Sequence, residues 1–133
     1  LSGQDQSQRR TVVFVCEHGS VKSVVAMEWF NRLAREGGLK LQAVSRGVTP
    51  DAAIPGEVEQ NLVRDGFRVT GFKPRRLSPS ELREALLVVG IGVDSQALAD
   101  SCLSGCFSKP PYVGVAAEQS AHPTAVRAGG RVR

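Results

Sequence analysis

The sequence predicts an α/β domain built as a three-layer, doubly wound sheet of four parallel strands. Three observations carry that expectation. Apolar runs of strand length alternate with segments of helical period. The first run, Thr11 to Cys16, breaks into a small-residue turn that feeds a helix, the order of a βαβ unit. A capping box at Ser78-Pro79-Ser80-Glu81 precedes the unbroken apolar run Leu86 to Ile91, which suits a central parallel strand. With 133 residues the chain is long enough for one domain with a real core.

Residues 1–10 are polar and aperiodic and are expected to be disordered, and the chain opens on Leu1 rather than Met, as a fragment or trimmed chain does. After the first strand, Ala26, Trp29, Phe30 and Leu33 recur at helical spacing, which makes them core positions, and Gly37-Gly38 stop that helix. Leu39, Leu41 and Ala43 alternate with Lys40 and Gln42 as a second strand, ending in the turn Ser45-Arg46-Gly47-Val48-Thr49-Pro50. Glu57 to Asp65 reads as a short helix closed by Gly66, with Phe67 and Val69 as a brief apolar segment. Tyr112-Val113-Gly114-Val115 supplies a last strand. The domain is therefore expected over residues 11–115, with a flexible tail at 116–133 that is rich in Ala, Gly and Arg.

The chemistry concentrates in Cys16-Glu17-His18-Gly19-Ser20-Val21-Lys22-Ser23. A strand end, a turn of small residues and a helix start point backbone N–H groups and the positive helix end at one spot. An oxyanion bound there lies over the Cys16 sulfur. The same N–H groups, together with Lys22 and Ser23, favour the thiolate and make Cys16 a candidate nucleophile.

Bulk properties narrow the rest. Hydrophobic residues make up 41% of the chain and charged residues 23%, and no apolar run is long enough to cross a bilayer, so no membrane association is expected. Three cysteines without framework spacing suit a reducing compartment, and a cytoplasmic location follows. With only His18 and His122 as histidines, no metal site and no cofactor are expected. The net charge of +4 is spread out, with three tail arginines against Glu118, and only Lys73-Pro74-Arg75-Arg76 is locally dense. Few aromatics are interleaved with these cations, so nucleic acid is not an expected partner.

The loop resembles the phosphate-binding loop of the low-molecular-weight tyrosine phosphatases and of the thioredoxin-coupled arsenate reductases that share their fold. That pattern is a cysteine, five residues, an arginine and a serine; here Lys22 stands at the arginine. An ammonium cannot fork onto two oxygens as a guanidinium does. Ser45-Arg46-Gly47, Asp65-Gly66-Phe67, Gly71-Phe72-Lys73-Pro74-Arg75 and the box at Ser78 extend the likeness to about Val93. The resemblance implies Cys16 as nucleophile, Glu17, His18, Gly19, Ser20, Val21 and Lys22 as the anion cradle, and Ser23 as thiolate stabiliser. It implies phosphate or arsenate as the bound oxyanion. A phosphotyrosine protein would be the partner of a phosphatase, and thioredoxin the reductant of a reductase.

The C-terminal third departs from that pattern and reads as atypical or truncated. The phosphatases carry a late Asp-Pro whose aspartate is the general acid, but no aspartate follows Asp100. His122-Pro123 is the nearest analogue, which makes His122 the candidate acid; Asp94 and Asp100 would require an unusual chain path. The reductases use three thiols. Cys102 and Cys106 supply two more, and Cys106 is followed by Pro110-Pro111 as in that family. A catalytically impaired phosphate-binding or regulatory module is the alternative to an enzyme.

Overall fold

The computed structural model describes residues 10–93, Leu98 and 112–115. The expectations for residues 1–9 and 116–133 and for Asp94, Asp100, Cys102, Cys106 and His122 lie outside these residues, whereas Arg10, expected in the disordered segment, opens the first strand. In order, the elements are β1 (Arg10–Cys16), α1 (Lys22–Glu36), β2 (Leu41–Gly47), α2 (Gly56–Arg64), α3 (Pro79–Glu84), β3 (Leu87–Ile91) and β4 (Tyr112–Val115). The four strands form one parallel sheet in the order β2-β1-β3-β4. The chain leaves β1 to one side for β2 and later returns to its other side for β3, so the switch in winding falls at the carboxyl end of β1. Cys16 is the last residue of that strand.

Side chains alternate between the two faces of the sheet and build two cores. Val12 and Phe14 of β1, with Ala43, Leu87 and Val89, pack against Val24 and Met27 of α1 and Leu62 of α2. Val13 and Val15, with Val44 and Val88, face the opposite way onto Leu77, Leu98 and Leu82 of α3. Helices thus cover both faces, giving the three layers. The capping box forms as expected: the Glu81 N–H donates to Ser78 Oγ at 3.3 Å, and the Ser78 N–H donates to Glu81 Oε1 at 3.1 Å.

Some assignments shift. The buried face of α1 is Ser23, Val24, Met27 and Ala34, while Trp29 is 39% and Leu33 58% exposed. The sheet takes the stripe containing the smaller side chains, which allow close approach. Trp29 instead rests edge-on against Phe67, and the Arg32 guanidinium lies over both rings. Leu39 is exposed and precedes β2, which continues through Ser45, Arg46 and Gly47 where a turn was expected. Ser45 can stay in the sheet although fully buried, because its hydroxyl has a partner.

Candidate functional site

At the end of β1 the chain turns through residues 17–21 before α1 begins at Lys22. Gly19 adopts a left-handed conformation (φ 63°), which brings its N–H to 3.2 Å from Cys16 Sγ. The Ser23 hydroxyl lies 3.2 Å from the same sulfur and 2.7 Å from Ser45 Oγ on β2. In the thiolate state Ser45 donates to Ser23, and Ser23 donates to the sulfur. Burial pushes the Cys16 thiol up, but the Ser23 hydroxyl and the N–H groups of Ser23, Gly19 and Val21 outweigh it and hold the thiol below its ordinary value. Lys22, expected to share in this, is not among the groups that lower it.

The loop is gripped by the segment that follows β2. The N–H groups of Val48, Thr49 and Asp51 donate to the carbonyls of Cys16, Glu17 and His18 at 3.2, 2.8 and 3.1 Å. Asp51 Oδ2 accepts the buried Ser20 hydroxyl at 2.7 Å, and its Oδ1 lies 3.5 Å from His18 Nδ1. Thr49 Oγ1 donates to Glu17 Oε2 at 2.8 Å. Gly19 and Gly47 pass in backbone contact, so a Cβ on Gly47 would meet Gly19 N at 2.8 Å.

The predicted loop residues therefore come together, but with divided duties. The side chains of Ser20 and His18 are tied to Asp51 and that of Glu17 to Thr49, which leaves backbone amides as their means of holding an anion. The first turn of α1 has no side-chain cap and no acidic residue, so its positive end is not neutralised, and its Ser23 N–H is turned toward Cys16 Sγ. Lys22 is exposed at that turn, and among the described residues it has no hydrogen-bond or ion-pair partner. Sequence reasoning gave no role to Ser45, Gly47, Thr49 or Asp51. A serine at a buried alternation position in β2 was a usable signal for Ser45; the other three depend on a loop crossing that local sequence does not encode.

A strand-end thiol held below its ordinary value beside a helix start, at the switch point of a doubly wound parallel sheet, defines an α/β domain with a cysteine-centred loop. The chain belongs to the low molecular weight phosphotyrosine protein phosphatase family, whose family model matches residues 11–107. Its fold is similar to that of YfkJ from Bacillus subtilis (TM-score 0.65, 21% identity, covering 79% of this chain and 70% of that one). It is also similar to a low molecular weight phosphotyrosine phosphatase from Vibrio cholerae (TM-score 0.63, 17% identity, covering 71% and 64%). A third similar structure is a thioredoxin-dependent arsenate reductase from Corynebacterium glutamicum (TM-score 0.60, 21% identity, covering 86% of this chain). The match spans 52% of the reductase. Comparison with curated proteins gives no match. No helix among the described residues is long and apolar enough to cross a membrane.

Proposed function

We propose that this protein is a cysteine-dependent oxyanion enzyme, a phosphotyrosine phosphatase or an arsenate reductase, with Cys16 as nucleophile. The observation that carries this is the thiol held below its ordinary value by Ser23 and the loop amides, directly beneath an uncapped helix start. The amides of residues 17–22 cradle the oxyanion and Lys22 adds a point charge. Attack on a phosphate monoester forms an S–P bond and breaks the P–O bond to the leaving group, which takes a proton; water then hydrolyses the thiophosphate. Attack on arsenate forms an S–As bond with loss of water. A second thiol then gives up its proton and attacks Cys16 Sγ: the S–S bond forms, the S–As bond breaks, and the electron pair of the S–As bond leaves with arsenic as arsenite. Cys102 and Cys106 are the candidates for the reductive relay, with thioredoxin as reductant, and His122 for the leaving-group proton. Neither route calls for a metal or a bound cofactor, and a free acidic thiol suits the reducing cytoplasm.

Exposed Lys22 in the arginine position favours a second reading, a phosphate-binding module with impaired turnover. One set of assays separates the two. Iodoacetamide at slightly acid pH should label Cys16, and phosphate should protect it. Turnover of p-nitrophenyl phosphate identifies a phosphatase, whereas turnover of arsenate with thioredoxin alone identifies a reductase. Phosphate protection without either turnover supports the impaired module, and unprotected labelling removes both readings.

Lys22→Arg should tighten phosphate binding about fivefold, because a forked guanidinium adds a second charge-assisted hydrogen bond. Phosphate titration of the labelling rate measures it. An unchanged or weaker constant would mean that Lys22 does not reach the anion.

A further inference from the structure

A groove of about 590 Å³ runs along the free side of β2, between that strand and residues 71–75. Buried or half-buried Met27, Val44 and Phe72 give it an apolar lining, and exposed Lys73 and Arg75 line it as cations. Arg46 also lines it, but its Nε donates to Glu81 Oε2 at 2.7 Å and its Nη1 to the Ser45 carbonyl at 2.8 Å, so its charge is already answered. Lys73 and Arg75 are different. Among the described residues, no aspartate or glutamate lines the groove, and neither side chain has a hydrogen-bond or ion-pair partner. Two uncompensated cations beside an apolar trough match a ligand that carries carboxylates next to an apolar side chain.

The strand edge itself is closed to a visiting strand. Asn31 fills the place of a neighbour at Ala43, its Oδ1 accepting the Ala43 N–H at 2.8 Å and its Nδ2 donating to the Ala43 carbonyl at 3.1 Å. At Gly47 the N–H and carbonyl are taken by the Arg75 carbonyl and the Leu77 N–H. Recognition must therefore run through side chains. Phe72, the one aromatic residue among the described residues that line the groove, is half-buried and offers no open platform for base stacking, which disfavours nucleic acid.

We infer that this groove docks an acidic segment of a partner protein, with an apolar side chain in the trough and Asp or Glu residues against Lys73 and Arg75. The groove ends close to the reactive cysteine, because Gly47 is the register partner of Cys16 and bonds to the Arg75 carbonyl. A docked partner thus lies beside the anion loop. The inference rests on the groove alone and stands whether or not Cys16 turns over a substrate.

Fluorescence anisotropy with a labelled Glu- and Asp-rich peptide carrying one leucine tests this on the full chain. Binding is expected at low salt and should weaken as salt rises. The double variant Lys73→Glu/Arg75→Glu should weaken it about tenfold or more, since attraction becomes repulsion at two sites. The double variant should keep a cooperative urea transition, which shows that it is folded. Affinity unchanged by the double variant would overturn the proposal. So would equal binding of a lysine-rich peptide, or an oligonucleotide that binds more tightly and loses its affinity in the same variant.

Discussion

Gly47→Ala is expected to lower folding stability by about 1–3 kcal/mol and to slow reaction at Cys16 by about a hundredfold. The added Cβ would sit 2.8 Å from both Gly19 N and the His18 carbonyl carbon. Both are backbone atoms, so no side-chain rotation relieves the contact. Either the end of β2 moves away from β1 or the anion loop moves off the sheet. The second movement carries the Gly19 N–H away from Cys16 Sγ, removing one of the bonds that keep the thiol acidic. Urea unfolding measures the first effect and the rate of iodoacetamide labelling near neutral pH the second. A variant with wild-type stability and labelling would show that the loop does not depend on this contact.

Cys16→Ser should abolish any turnover, a loss of at least about a thousandfold, because a serine hydroxyl without a neighbouring base is a poor nucleophile. Phosphate should still bind, and bind more tightly, since the amides and helix end remain while the competing negative charge of the thiolate is gone. The substitution also has a pH signature. The folded thiol releases its proton at lower pH than the unfolded one, so between those two values the unfolded chain holds more protons and stability rises with pH. That gain is lost as pH falls through the folded value. Wild-type stability should therefore climb across this window by more than that of Cys16→Ser, measured as urea midpoints at several pH values. Parallel curves would show that Cys16 is no more acidic folded than unfolded.

Much of this arrangement was legible in the residues because it is written locally. Strand and helix periods placed every described element within a few residues, the Ser78 box fixed the start of α3, and the order from Cys16 to Ser23 gave the loop. Apolar spacing misassigned Trp29 and Leu33, since α1 carries more apolar surface than the sheet covers and only packing decides which stripe is buried. Less of the site was legible than of the fold. Ser45, Gly47 and Asp51 act from about thirty residues away, through a hydroxyl pair, a backbone contact and a carboxylate. No local pattern joins them to Cys16; they are found once β1 and β2 are laid side by side.

The hold of Asp51 on the anion loop sets a schedule for the sulfur. Until residue 51 has left the ribosome and β2 has docked against β1, neither the Ser20 and His18 tether nor the Ser45 hydroxyl is in place. In that interval Cys16 is an ordinary thiol, mostly protonated at neutral pH and slow to react with oxidants. The groups that lower the thiol lie in the loop itself, and the loop is held by residues 48–51, so the acidity is expected to develop as the first βαβ unit closes. The nascent chain is thus expected to carry this sulfur disarmed until that unit has closed.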